Sequence, residues 1–258
     1  PASLLRALVQ DLVILPGFRL LCKRFTVEGR DTLLEEQGPR ILAVNHTSDL
    51  DPLAVLLALP PSKRRLVAPA MGLARFHARF GQLGRRSMQE RKSPSASPGR
   101  EEENSLFGGA GARRGVSPGG RFRSLVHGIA YFLVSLLFQA YPFPQATAYR
   151  ASMEYTGELL DQGKWVLLFP EGEVSRSGGM VRFRGGVGAL AGNTGAPVFP
   201  VAVSGVRGIF RDQGGRGTRK VPRRTRVRVS FGRPLVYRGE EYAEFASRLQ
   251  EEVSRLLP

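Results

Sequence analysis

Short apolar runs recur along this chain, and each is followed by proline, glycine or a small polar residue. The runs cover residues 41–44, 66–68, 166–169 and 198–203, and residues 227–231 predict a further strand. Uninterrupted apolar runs of this kind are typical of strands that are buried on both faces of a sheet. Residues 53–59 and the stretch after Ala151 predict helices between the strands. The alternation predicts a single α/β domain whose central sheet is mostly parallel or mixed and is flanked by helices.

Both ends of the chain have an amphipathic pattern. A closing helix is predicted over 239–257, where apolar residues recur at spacings of three and four: Tyr242, Phe245, Leu249, Val253 and Leu256. Residues 3–25 mix apolar with basic side chains and are interrupted at Pro16, whereas a membrane span needs about 20 continuous apolar residues. We therefore predict an N-terminal membrane-interface helical segment over 1–30 and the α/β domain over 31–258.

The middle of the chain departs from the strand and helix alternation. Residues 84–120 are rich in Ser, Pro, Gly and charged side chains, which predicts a disordered insertion because so little apolar surface is available to bury. Residues 122–138 are almost wholly apolar but short for a membrane span. They predict either a helix that packs on the domain and dips into a membrane interface or an ordinary core helix.

Candidate chemistry follows the first apolar run directly. Asn45 and His46 come immediately after that run, and Asp51 lies five residues beyond the histidine. Asp51 precedes Pro52 and an apolar stretch, so we expect Asp51 to cap a helix that has proline at its first position. A short turn would then bring the carboxylate to the imidazole. An aspartate that accepts from one ring nitrogen leaves the other nitrogen free to take a proton.

A second motif follows another apolar run. The sequence Phe-Pro-Glu-Gly occupies residues 169–172, and Ser175 lies three residues further on. Because the carboxyl ends of parallel strands meet at one edge of a sheet, both motifs are expected to contribute to one site.

Together these motifs resemble the glycerophosphate and lysophospholipid acyltransferase family, which includes 1-acyl-glycerol-3-phosphate acyltransferase. Its first block, N-H-x-x-x-x-D, matches Asn45, His46 and Asp51, and its third block, F-P-E-G-x-x-S, matches 169–175. The family's F-K-x-G turn is similar to residues 183–186, and its proline-containing strand is similar to 196–203. These blocks keep the family's order over most of the chain.

The resemblance implies transfer of a fatty acyl group from acyl-CoA or acyl carrier protein to a lipid hydroxyl, with no cofactor. His46 would be the general base, and Asp51 would orient it and stabilise the imidazolium. General-base assistance contributes about 10²–10⁴ in rate. Glu171, Gly172 and Ser175 would shape the acceptor site. The arginines near them, Arg176, Arg182 and Arg184, would pair with an acceptor phosphate.

Two departures bear on the acceptor. The family's second block usually ends in an arginine that holds the acceptor phosphate, but the corresponding position is Gln145, and Arg150 is the nearest replacement. The third block has Glu173 and Val174 where the family commonly has Thr and Arg. The first-choice acceptor is 1-acyl-glycerol-3-phosphate. The alternatives are glycerol-3-phosphate, another lysolipid, an amino-acid lipid, or a non-catalytic lipid-binding module of a fused protein.

The amino-acid composition limits the kinds of partner that the chain is expected to bind. The formal net charge of +16 would attract an anionic membrane surface by about 1 kcal/mol per nearby basic residue. Nucleic acid would attract the same charge, but no DNA- or RNA-binding motif accompanies it, so we expect association with the cytoplasmic face of the inner or plasma membrane. The single cysteine, Cys22, excludes an internal disulfide. The other two histidines, His77 and His127, are too widely spaced to suggest a zinc site.

Overall fold

The fold is that of a computed structural model, which describes residues 8–72, 140–143, 149–175, 177–210 and 223–258. The described residues all lie in one compact unit of the chain. The predicted disordered insertion, the predicted helix over 122–138, and His77 and His127 lie outside the described residues. Among the site residues, Arg176 also lies outside them, as does Gln145.

Seven strands form one sheet among the described residues, in the order β1-β7-β6-β2-β5-β3-β4. Their bounds are β1 Cys22–Glu28, β2 Arg40–Val44, β3 Val67–Gly72, β4 Tyr141–Phe143, β5 Trp165–Leu168, β6 Val198–Ser204 and β7 Thr225–Phe231. Neighbouring strands are parallel except β6 and β7, which pair antiparallel. The predicted α/β domain with a mostly parallel, mixed sheet is confirmed.

Helices cover both faces of this sheet. A π-helical turn at Gln10–Ile14 leads into α1 (Leu15–Leu20). The other α-helices in the described parts of the chain are α2 (Arg30–Glu35), α3 (Asp51–Ala58), α4 (Pro61–Arg64), α5 (Tyr149–Asp161), α6 (Gly186–Thr194) and α7 (Tyr242–Leu256). A 3₁₀ turn, Val206–Phe210, follows β6.

Residues 41–44 of the central strand β2 are apolar because both faces of the strand are buried. Leu42 and Val44 belong to the core on the face covered by α1 and α3, whereas Ile41 and Ala43 belong to the core on the face covered by α6 and α7. All four side chains are fully buried. Because β2 lies between β5 and β6, the residues that follow these three strands meet at one sheet edge.

The N-terminal segment differs from the prediction. The helical part ends at α1, and residues 22–28 form strand β1, which pairs with β7 at the edge of the sheet. The alternation of Phe25 and Val27 with polar residues has the period of a strand, and pairing with β7 satisfies its backbone.

The closing helix is confirmed, with Phe245, Leu249 and Val253 fully buried. Within the described residues, no helix is both long and apolar enough to cross a membrane.

Candidate active site

Asn45 fixes the chain where β2 ends. Its side-chain Nδ2 donates to the carbonyl oxygen of Val203 at 3.1 Å, and its Oδ1 accepts from the N–H of Val203 at 2.7 Å. The side chain thus binds both backbone groups of a residue in the adjacent strand β6, and it is almost fully buried. This clamp holds the next residue, His46, at the carboxyl edge of the sheet.

His46 and Asp51 are in contact, as their spacing predicts. Nδ1 of His46 lies 3.2 Å from Oδ2 of Asp51, whose side chain is fully buried. The same Oδ2 accepts from the backbone N–H groups of Thr47 and Ser48, each at 2.7 Å. Three donors therefore converge on one carboxylate oxygen. This arrangement holds the imidazole in one orientation and leaves Nε2 as the nitrogen that can accept a proton.

The expected helix cap is wrong in detail. Asp51 is the first residue of α3, the capping position belongs to Leu50, and Pro52 is the second helical residue. The carboxylate turns back to the N–H groups of the preceding turn, rather than forward to those of the helix. Asp51 therefore stabilises the turn that carries His46, and it does not cap the helix.

The ring of His46 also stacks on a residue of the second motif. The ring centroids of His46 and Phe169 are 4.0 Å apart, with an angle of 21° between their planes. Only 13% of the histidine side chain remains exposed. The aromatic contact thus restricts the imidazole from the side of β5.

Glu171 connects the two motifs through the backbone. Its Oε1 accepts from the N–H of His46 at 2.7 Å, and its Oε2 accepts from the N–H of Val181 at 2.8 Å. The side chain is only 1% exposed, and this burial raises the pKa of the carboxyl group, although the two N–H donors partly oppose the rise. Both oxygens bind backbone donors, so Glu171 shapes the site by holding two loops in place.

Gly172 and Ser175 order the same loop. Gly172 has a φ of 78°, in the left-handed region that favours glycine, and its N–H donates to the carbonyl oxygen of Phe169 at 3.0 Å. The N–H of Ser175 donates to the carbonyl oxygen of His46 at 2.8 Å, and its buried Oγ accepts from the N–H of Gly178 at 3.0 Å. The backbone of His46 is therefore bound by this loop at both its N–H and its carbonyl.

The arginines named from sequence occupy different places. Arg184 is exposed and borders the loop, because its N–H donates to the carbonyl oxygen of Pro170 at 3.0 Å. Arg150 lies on α5 with 93% of its side chain exposed, and it pairs with Glu154 one turn along that helix. Arg207, which was not among the site residues predicted from sequence, has its guanidinium beside Gly178. The sequence signal that could have identified Arg207 is its position four residues after the predicted strand 198–203.

The described residues contain no group of three or more His, Cys, Asp or Glu side chains placed to hold a metal ion. What they do contain is a histidine with an oriented imidazole and a buried carboxylate beside it. Such a pair can remove a proton from a hydroxyl group and keep the resulting imidazolium stable.

Two comparisons with known proteins bear on the class of reaction and on the fold. The acyltransferase family model matches residues 126–204, which include the Phe169–Ser175 motif and β6 but not His46 or Asp51. The crystal structure of PlsC from Thermotoga maritima, a 1-acyl-sn-glycerophosphate acyltransferase, superposes with a TM-score of 0.51 at 17% sequence identity. The match covers 90% of this chain and 72% of that one. At this identity the structural match shows a shared fold, and the family model supplies the class of reaction.

Proposed function

We propose that this chain, an acyltransferase of the lysophosphatidic acid acyltransferase-like family, moves a fatty acyl group from a thioester to the hydroxyl of a lysophospholipid. The first-choice acceptor is 1-acyl-glycerol-3-phosphate, which would give phosphatidic acid. The observation that carries the proposal is the contact between His46 and the fully buried Asp51 at the carboxyl edge of the sheet. Acyl-CoA or acyl carrier protein would be the donor.

The reaction needs one proton acceptor and no covalent intermediate on the protein. Nε2 of His46 takes the proton of the acceptor hydroxyl while the hydroxyl oxygen attacks the thioester carbonyl carbon. The tetrahedral intermediate then collapses, the C–S bond breaks, and the thiolate takes the proton back from the imidazolium. The carboxylate of Asp51 stabilises that imidazolium, because the two lie in contact away from bulk water.

The exposed side chains of the N-terminal segment support association of the protein with a membrane surface. Four apolar side chains are exposed along the π-helical turn and α1 or next to them: Leu8, Leu12, Val13 and Leu20. Exposed apolar groups next to basic ones are typical of helices that lie in a membrane interface. We propose that this segment binds an anionic membrane at its cytoplasmic face, where the lipid acceptor is available.

The test is thiol release from oleoyl-CoA and from oleoyl acyl carrier protein against a panel of acceptors. The panel holds lysophosphatidic acid, glycerol-3-phosphate, lysophosphatidylethanolamine and a lyso-amino-acid lipid. Wild-type protein should release thiol with lysophosphatidic acid, and His46→Ala protein of unchanged melting temperature should not. Release that depends on another acceptor would reassign the substrate. Lipid binding without release from either donor would favour the non-catalytic alternative and contradict the proposal.

A further inference from the structure

Arg207 lies on an anchored backbone turn beside the loop of the second motif. Strand β6, which neighbours β2, ends at Ser204, and the chain turns at Gly205 into the 3₁₀ turn. Val206 and Ile209 are fully buried in the core, so they anchor the turn, and Arg207 between them is exposed. A cation on an anchored turn is positioned more accurately than one on a free loop.

The guanidinium reaches the loop of the second motif at a position that only glycine allows. Gly178 has a φ of 91°, and a Cβ added there would overlap the guanidinium of Arg207. That Cβ position lies 3.2 Å from Cζ and 3.5 Å from Cδ of the arginine. The close approach of Arg207 to this loop therefore depends on the absence of a side chain at residue 178.

The same loop binds the catalytic histidine. The N–H of Gly178 donates to Oγ of Ser175, and the N–H of Ser175 donates to the carbonyl oxygen of His46. Two hydrogen bonds and a short loop thus connect the place where Arg207 lies to the base. Asp51 and Glu171, two carboxylates that contact His46, are both buried, whereas the arginine is exposed to solvent.

We propose that Arg207 binds the phosphate of the acceptor lipid, an inference that rests on the proposed function. In 1-acyl-glycerol-3-phosphate, only two carbons and the ester oxygen separate the reacting hydroxyl oxygen from the phosphorus. The phosphate must therefore lie close to the base. The planar guanidinium presents paired N–H donors that match phosphate oxygens, and such charge-assisted bonds are strong.

The sheet order favours Arg207 over Arg150 for this role. β6 is the neighbour of β2, about 5 Å away across the sheet, and it continues three residues beyond the pair Val44 and Val201 to end at Ser204. Arg150 comes after β4 in the chain, and β4 is three strands from β2 on the other side of the sheet, a lateral spacing of about 14 Å between the two strands.

The experiment compares acceptors with and without phosphate. Arg207→Gln and Arg207→Lys are assayed with oleoyl-CoA and either 1-oleoyl lysophosphatidic acid or 1-oleoylglycerol. Arg226→Gln, an exposed arginine of β7, is the matched control, and Arg150→Ala tests the assignment made from sequence. Arg207→Gln should raise the KM for lysophosphatidic acid about tenfold. Its KM for oleoyl-CoA and its activity with 1-oleoylglycerol should stay at wild-type values.

The KM of Arg207→Lys for lysophosphatidic acid should lie between those of the wild type and Arg207→Gln, because lysine keeps the positive charge but lacks the paired N–H donors of the guanidinium. Three results would overturn the assignment of Arg207 while the proposed function stands. They are an equal rise in the KM of Arg207→Gln for both acceptors, a rise in its KM for oleoyl-CoA, and a rise in the KM for lysophosphatidic acid that occurs only in Arg150→Ala. If wild-type protein turns over no acceptor, the proposed function fails. Calorimetry with short-chain lysophosphatidic acid then tests whether Arg207 binds the phosphate. Binding that is about tenfold weaker in Arg207→Gln supports this role, and unchanged binding overturns it.

Discussion

The substitution Asp51→Asn separates the charge of the candidate dyad from its geometry. The amide oxygen can take the place of Oδ2 and keep the bonds from the N–H groups of Thr47 and Ser48, both 2.7 Å long. The amide nitrogen would then take the place of Oδ1, which lies 3.5 Å from Oγ1 of Thr47. The shape and the backbone bonds are retained, and the negative charge beside His46 is lost.

The size of the effect follows from the contact distance. A full charge on the imidazolium, 3.2 Å from a carboxylate oxygen, gains about 5 kcal/mol at an effective dielectric constant of about 20. General-base catalysis contributes about 10²–10⁴ in rate, which is about 3–5 kcal/mol. The two figures agree in size, so we expect kcat to fall by about 10³ in Asp51→Asn.

The assay is kcat at saturating acyl-CoA and lysophosphatidic acid, together with the free energy of unfolding. Asp51→Asn should unfold close to the wild type. Asp51→Ala is the contrasting variant, because it leaves the Thr47 and Ser48 N–H groups without this acceptor, at a cost of about 1–3 kcal/mol each. A kcat within about threefold of the wild type in well-folded Asp51→Asn would refute the role of the carboxylate in stabilising an imidazolium.

Two further substitutions test how the site is held. Asn45→Ala removes both bonds to the backbone of Val203 and should lower the free energy of unfolding by about 1–3 kcal/mol in chemical denaturation; an unchanged value would contradict the clamp. Because burial raises the pKa of Glu171, its ionisation costs stability as pH rises from below its ordinary value of 4.5. The stability of wild type relative to Glu171→Gln should therefore decrease from pH 4 towards neutral pH, and a constant difference would contradict the burial argument.

The sheet and the dyad were predictable because their signals are local. The apolar run 41–44 is wholly buried because helices cover both faces of β2, and such runs indicate strands of this kind. The contact between His46 and Asp51 followed from a strand end, a short turn and a helix start within seven residues. Those features depend on neighbouring positions and on the period of the elements.

Other features depend on residues far apart in sequence. The backbone partner of Asn45 is Val203, 158 residues away, and no local pattern identifies it. Strand β1 was assigned to a helical segment because its apolar residues are few and its pairing with β7 comes from the other end of the chain. Arg207 is one of many arginines in the sequence, and only its contact with Gly178 in the fold distinguishes it.

The most direct test of the central claim is mass-spectrometric detection of the acylated product from oleoyl-CoA and lysophosphatidic acid, in wild-type and His46→Ala proteins of equal melting temperature. We expect phosphatidic acid to form with the wild type and to fall to the rate without protein in the variant. Equal formation by both proteins would show that His46 is not the base and would contradict the account.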